Sequence, residues 1–354
     1  MGLDIGGANT KAALIEFAEK EIITSFSHIE YFPFWEKTIT EIPDMLRDII
    51  KKLLEKNDHK FEDVAYFAVT ITAELSDAFQ TKKEGILTIL DALSKVVNKN
   101  KLRFISNKST FLNYIDARSE PHTIAAANWV STALFLGQFM PDCILIDAGS
   151  TTIDVIPIVD SAPASIGKDD ISRLINHELI YTGGLRATIP SITHHVPYKG
   201  KNVRISFEKF ALISDVHRIL SNISEEEYAN DTADNRSKSL ENCYARLSRV
   251  ICMDLETISK KDLKLIAQFI YEKQTGIISK EIRSFMKILI SRFTQFEKNP
   301  QFIITGLSSE FLIRKSLQSL GYQNINIYEE ITPNHNKISS SAFAVAGALI
   351  FQLK

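Results

Sequence analysis

The apolar positions follow two periods that alternate along the chain. Met1 to Ile5, Lys11 to Phe17 and Glu21 to Ser27 are short alternating runs divided by turn residues, which predicts an antiparallel three-stranded meander. Between Glu41 and Glu55 the spacing lengthens: Ile42, Met45, Leu46, Ile49, Ile50, Leu53 and Leu54 recur at three- and four-residue steps, the pattern of a helix with one buried face. Val64 to Thr70 then reads as a buried strand of the same sheet, with polar residues gathering at its end, from Thr72 through Glu74 and Asp77. A helix over Gly85 to Val97, a strand at Leu102 to Ile105 and a small-residue helix over Ile124 to Phe135 complete a first half.

The same order restarts with a strand at Asp142 to Ile146, a hairpin to Ile153 to Ile158 and a strand near Leu179 to Tyr181. Helical patterns follow at Phe207 to Leu220, Leu240 to Met253, Lys261 to Tyr271 and Ile277 to Phe293. They are interrupted by the polar stretch Ser224 to Asn242, which predicts a surface excursion. A strand at Gln301 to Ile304, the turn Thr305-Gly306-Leu307-Ser308-Ser309, a helix over Glu310 to Leu320, a strand at Ile325 to Tyr328 and a helix over Ser341 to Leu353 close the pattern. This predicts an α/β chain of two domains, 1–138 and 139–354, with a helical insertion over about 207–293.

Both halves carry the same short motif directly after their first strand: Asp4-Ile5-Gly6-Gly7-Ala8-Asn9-Thr10-Lys11 and Asp147-Ala148-Gly149-Ser150-Thr151-Thr152-Ile153-Asp154. An Asp at a strand end suits a hard cation, and a glycine turn lets backbone N–H groups approach anionic oxygens. Either motif alone describes an ordinary hairpin; the repetition points to phosphate chemistry with Mg²⁺. Asp4 and Asp147 are the metal-side carboxylates. Gly6, Gly7, Asn9, Thr10, Gly149, Ser150, Thr151 and Thr152 are the phosphate donors, and Lys11 offsets phosphate charge.

Bulk properties narrow the classes. At 354 residues with 45% hydrophobic and 24% charged residues, the chain has the composition of a globular protein. A net charge of −2 with both signs spread along the chain excludes the electrostatic footprint of a nucleic-acid binder. No apolar run reaches the roughly 20 residues of a bilayer span, so a cytoplasmic protein acting on small molecules is expected. Three cysteines without a C-x-x-C pair suggest neither disulfides nor zinc, and Cys143 is a packing residue. His194-His195 read as part of a solvated loop, because adjacent side chains diverge.

The two Asp-Gly hairpins and the late strand–Gly306–helix unit resemble the phosphate-1, phosphate-2 and adenosine motifs of the actin, Hsp70 and sugar-kinase superfamily. Within it the chain is similar to the hydantoinase/oxoprolinase-related branch of tetrahydromethanopterin-linked one-carbon-transfer proteins. The resemblance also rests on Thr72-Ala73-Glu74-Leu75, Ala126-Ala127-Asn128-Trp129, Tyr181-Thr182-Gly183, Asp231-Thr232-Ala233-Asp234 and Ala245-Arg246-Leu247. It implies two ribonuclease-H-like domains around a central cleft. It also implies a reaction in methanofuran-type cofactor synthesis, in which the phenol of γ-glutamyltyramine displaces diphosphate from (5-(aminomethyl)furan-3-yl)methyl diphosphate. The chain departs from the pattern at Asn235, at the doublet Gly183-Gly184 and at the adenosine-like turn, whose lone Gly306 disfavours ATP as the substrate.

On this reading Glu74 is the base for the attacking hydroxyl, with Asp77 the competing candidate. Asp154 either orients a metal-bound water or ends its hairpin. Asn128, Thr182, Gly183, Asp234 and Arg236 are the candidates for the organic part of the substrate, while Arg246 reads as a surface residue. Two alternatives stand beside this one: an ATP-dependent kinase or hydantoinase/oxoprolinase-type amidohydrolase, and a non-enzymatic nucleotide-gated partner-binding protein.

Overall fold

The computed structural model describes residues 1–18, 21–333 and 340–353. Strands β1 (Gly2–Gly6), β2 (Asn9–Ala18), β3 (Glu21–Tyr31), β4 (Phe67–Thr72), β5 (Leu102–Ile105) and β6 (Phe111–Leu112) form one sheet in the order β3-β2-β1-β4-β5-β6. The first three are antiparallel, whereas β1, β4 and β5 run parallel. Strands β7 (Cys143–Ala148), β8 (Ile153–Val159), β9 (Ala162–Pro163) and β10 (Leu179–Ile180) follow, and β11 (His195–Tyr198) with β12 (Lys201–Arg204) makes a separate ribbon. Strands β13 (Phe302–Thr305) and β14 (Ile325–Ile327) complete the second sheet, ordered β10-β8-β7-β13-β14, with β13 parallel to both its neighbours. An antiparallel edge passing into three parallel strands in the order 3-2-1-4-5 is the ribonuclease-H-like arrangement. It occurs twice, which is the architecture of the actin-like ATPases.

Two compact units result, and they are not the contiguous halves 1–138 and 139–354. One comprises Met1–Cys143, Ile156–Arg173 and Tyr328–Lys354, the other Ile144–Val155 and Leu174–Ile327. The C-terminal helix Ser340–Gln352 belongs to the first unit because small residues let it lie on the first sheet. A Cβ on Gly2 would stand 1.9 Å from the Ala342 carbonyl oxygen, and one on Gly347 2.4 Å from the Phe135 ring. The opposite face of that sheet is covered by the helices Ile42–Glu55 and Lys82–Ser94, whose Leu46, Ile49, Ile50, Ile86, Ile89 and Leu90 close over Leu3, Ile5, Val69 and Ile71.

The second unit carries the helical insertion, which has its own core around Val216, Leu247, Leu263, Ile266 and Ile270. Three sequence expectations change here. The helical patterns at Lys261 to Tyr271 and Ile277 to Phe293 are one 33-residue helix, Lys260–Arg292. Its buried stripe runs through Ile270, Gln274 and Ile278, so a polar residue occupies the core position that breaks the apolar period. Helix Ile213–Ile219 replaces the longer Phe207 to Leu220, since Leu212 instead bridges Thr188 as extended chain. His195 starts a strand of the ribbon, while the His194 ring packs on Phe207 with centroids 4.9 Å apart.

The polar stretch Ser224 to Asn242 contains no regular element before the helix Leu240–Arg249, as its composition predicts, yet it is anchored by buried groups. The Tyr228 hydroxyl donates to Asp215 Oδ1 at 3.0 Å, and Tyr228 is fully buried. Arg246 is not a surface residue: its guanidinium is fully buried, 2.8 Å from Asp215 Oδ1 and 3.1 Å from Asp234 Oδ1. Arg249 holds Asp234 Oδ2 at 2.9 Å. Burial raises the Asp215 carboxyl above its usual range, against the pull of Arg246. Removing one partner of such a buried pair strands the other charge. Arg246→Met is therefore expected to lower stability by about 3–5 kcal/mol in urea unfolding, and adding Asp215→Leu should recover much of the loss; an unchanged midpoint in the single variant would refute the pairing.

Candidate active site

In the first unit, register sets Asp4 opposite Lys11 on β2 and beside Thr70 on β4. The buried Asp4 carboxylate accepts from Ser341 Oγ at 2.5 Å and lies 3.5 Å from Lys11 Nζ, with Thr72 Oγ1 at 3.4 Å from its other oxygen. Ser341 sits in the first turn of helix Ser340–Gln352, an end whose N–H dipoles favour an anion. The turn itself is open. A Cβ on Gly7 would meet nothing within 4 Å, whereas Gly6 must be glycine because a Cβ would stand 2.7 Å from the Asn9 carbonyl. Asn9 is exposed, while the Thr10 hydroxyl is buried with no hydrogen-bond partner among the described residues.

Glu74 follows β4 in a tight turn closed by Ser76 N–H to Ala73 O at 3.0 Å. Gly85 permits the closeness, since a Cβ there would stand 3.0 Å from the Glu74 backbone. The side chain is 2% exposed, and Oε2 has no hydrogen-bond partner among the described residues. Burial pushes its carboxyl up to about 7; Lys82 pulls it back and Asp170 adds to the rise. Lys82 and Asp170, joined at 2.8 Å, are charged neighbours of Glu74 that sequence alone did not reveal. Asp77 is exposed. Asn128 begins the helix Asn128–Gly137 and is half-buried. The bridge Ile71–Ala125 and the Ala126 N–H to Ile71 O bond of 2.9 Å bring its segment beside the end of β4.

In the second unit, Asp147 is the next-to-last residue of β7 and lies beside Thr305 of β13. The hairpin closes with Gly149 N–H to Thr152 O at 3.0 Å. A second segment clamps it from one side: Gly183 N–H donates to Thr151 O at 2.8 Å, Gly184 N–H to Gly149 O at 3.0 Å, and Leu185 N–H to Ser150 O at 2.9 Å. In a trans peptide the C=O and N–H point oppositely, so three carbonyls held toward the clamp turn the amides of Ser150, Thr151 and Thr152 away from it. Successive amides aimed the same way form an anion-binding concavity, and Ser150 is exposed.

This geometry explains the Gly183-Gly184 doublet. A Cβ on Gly183 would stand 2.6 Å from Gly149 O and Thr151 N, and one on Gly184 2.8 Å from the Ser308 Cβ. Gly183 packs directly on the hairpin, and Thr182 before it accepts from Gln274 Nε2 at 3.1 Å. Gly306 has φ +89°, and a Cβ there would come within 2.5 Å of Ala148 O and 2.8 Å of Asp147 Oδ1. Its glycine is thus required by the hairpin it packs on, with Ser308 Oγ donating to Ala148 O at 3.1 Å. Asp154 pairs with Leu179 across β8 and β10. Asp234 belongs to the Arg246–Arg249 ion network, which commits both its oxygens, and Arg236 is exposed on the same loop.

The donor set fits Mg²⁺ unequally. Magnesium takes one or two carboxylates and keeps several waters. Asp147 is half-exposed beside the clamped hairpin and so open to water, whereas Asp4 is buried and bonded by Lys11 and Ser341. Among the described residues no cluster of three or more His, Cys, Asp or Glu could hold a metal, and no helix is long and apolar enough to cross a membrane.

The hydantoinase/oxoprolinase family model matches residues 66–353, and the chain belongs to that family. It is 36% identical over all 354 residues, and over 98% of the relative, to the (4-{4-[2-(γ-L-glutamylamino)ethyl]phenoxymethyl}furan-2-yl)methanamine synthase of Methanocaldococcus jannaschii. Over 171 residues it is 34% identical to the synthase of the same name from Methanococcus vannielii, covering 48% of this chain and 73% of that one. Similar solved structures include a hexokinase (TM-score 0.47, 12% identity, covering 98% of this chain and 84% of that one). Another is component A of the Acidaminococcus fermentans (R)-2-hydroxyglutaryl-CoA dehydratase (TM-score 0.40, 14% identity, 98% of each).

Glu74 leaves a signature in stability. The unfolded carboxyl ionises near 4.5 and the folded one near 7, so the unfolded chain loses its proton first and folding stability falls as pH rises between those values. The loss is on the order of 3 kcal/mol at most. Urea unfolding of wild type and Glu74→Gln across that window should show a steeper fall in wild type than in the variant; parallel profiles would place the Glu74 carboxyl in the ordinary range.

Proposed function

We propose that this chain is a synthase that forms an aryl ether by displacing diphosphate. The phenol oxygen of γ-glutamyltyramine bonds to the exocyclic carbon of (5-(aminomethyl)furan-3-yl)methyl diphosphate. The carbon–oxygen bond to diphosphate breaks, its electron pair leaves with the diphosphate, and the phenolic proton passes to a base. The observation that carries this reading is the 36% identity along the entire chain to a synthase whose named product contains that phenoxymethyl–furan ether.

The residues present support each part. The amides of Ser150, Thr151 and Thr152 receive diphosphate oxygens, and Lys11 and the turn at Gly6-Gly7 supply further positive charge and N–H groups. Mg²⁺ held by Asp147 would neutralise charge gathering on the leaving oxygens. Glu74, with a carboxyl near 7, takes the proton of a phenol whose reference pKa is about 10. ATP is not required, and Gly306 serves the hairpin rather than a purine.

The direct test supplies the purified protein with Mg²⁺, the furan diphosphate and γ-glutamyltyramine, and follows the ether by mass spectrometry alongside diphosphate release. Ether with stoichiometric diphosphate is expected. Turnover of ATP to ADP with an acceptor, and no ether, would instead establish a kinase or amidohydrolase. Asp147→Asn should lower turnover by a factor on the order of 10² or more at limiting Mg²⁺, and near-wild-type turnover in the folded variant would remove Asp147 from the metal site. For Glu74, the single-turnover rate should rise with pH through about 7 as the base ionises. Glu74→Gln should abolish that limb and cut the step roughly 10²- to 10⁴-fold; an unchanged profile would exclude it as the base.

A further inference from the structure

The core of the insertion contains a chain of polar groups that nothing in the fold requires. Gln274, fully buried in the middle of helix Lys260–Arg292, donates from Nε2 to Thr182 Oγ1 at 3.1 Å and to Gly183 O at 3.0 Å. Its Oε1 is 3.0 Å from His217 Nε2. Because the amide nitrogen faces two acceptors, Oε1 must accept, so His217 carries its hydrogen on Nε2. Nδ1 then accepts from Asn222 Nδ2 at 3.2 Å. The buried imidazole is therefore neutral, in keeping with a desolvation that lowers its pKa to about 3. Every hydrogen-bonding group of the Gln274 carboxamide is used, and its orientation is fixed from behind by a histidine that is also held in place.

Gln274 grips Thr182 and Gly183 at the start of the clamp, whose next N–H groups hold the carbonyls of Gly149, Ser150 and Thr151. Those carbonyls orient the amides aimed at the phosphate. An apolar residue in this stripe would leave Thr182 Oγ1, Gly183 O and His217 Nε2 without the partner that Gln274 gives them.

We propose that Gln274, braced by His217, is a positioning residue that sets the peptide planes of the Gly149–Thr152 hairpin for diphosphate. This rests on the reading of that hairpin as a phosphate site. Gln274→Met keeps the volume and removes both donors. It should weaken binding of inorganic diphosphate roughly tenfold by calorimetry, the scale of one or two hydrogen bonds, and lower kcat while leaving KM for the phenol unchanged. Thr182→Val should weaken diphosphate binding less, its effect should not add to that of Gln274→Met, and Thr182→Ser should restore affinity. Ile278→Val, one turn along the same stripe with no bond to the clamp, serves as the control for a merely loosened helix and should bind diphosphate as wild type does.

Each outcome decides something. Wild-type affinity in a folded Gln274→Met overturns the positioning role alone, and so does a loss of affinity in Ile278→Val equal to that in Gln274→Met. A wild-type protein that binds no diphosphate overturns the phosphate reading itself.

Discussion

The second hairpin depends on a close backbone approach: the segment Gly183-Gly184-Leu185 lies against Gly149-Ser150-Thr151 with no room for a side chain between them. Each hydrogen bond from the clamp to a hairpin carbonyl reverses the amide on the other side of the same peptide plane. On the proposed function this main chain is the site for the anionic oxygens, with its donors oriented before any ligand arrives. Such preorganised dipoles act on charge that develops during a reaction without reorganising as it does so. Gly306 and Ser308 hold the hairpin from the end of β13, and the 33-residue helix holds the clamp through Gln274, so the hairpin is fixed by stretches far apart in the chain, one of them through the clamp.

The first hairpin is built on a different balance. Its carboxylate, Asp4, is buried against Ser341 and paired with Lys11, so its charge is largely compensated within the unit. Glu74 is the opposite case, a carboxyl buried with one oxygen unpartnered, and burial therefore favours its neutral form. The two carboxyls are thus divided by environment: Asp4 has charged and hydroxyl partners, while Glu74 is buried with one oxygen unpartnered among the described residues.

The insertion, too, is stabilised by polar groups in its interior. Asp215, Arg246, Asp234, Arg249 and Tyr228 tie the irregular 221–239 segment to two helices. A buried ion pair of this kind contributes little net stability compared with apolar packing, yet breaking it is costly. It specifies where a polar loop must lie. Asp234 is thereby committed to structure although it stands in a motif that reads as a candidate for the substrate.

Much of the fold was legible in the sequence because periodicity and turn chemistry are local. The helix Ile42–Glu55, the strand Leu102–Ile105 and both Asp-Gly hairpins lie where apolar spacing and glycine place them. The recurrence of the hairpin is what directed the sequence reading to phosphate chemistry. Tertiary structure decided what depends on residues far apart in the chain. Gln274 interrupts an apolar stripe and reads as a helix break, but it is a core residue because its partners, Thr182 and His217, lie more than fifty positions away. Arg246 reads as surface because its carboxylate, Asp215, is 31 residues distant. The last helix joins the first unit because Gly2 leaves it room. Local pattern determines which elements form, whereas the burial of a polar group is settled only by whether the folded chain brings it a partner.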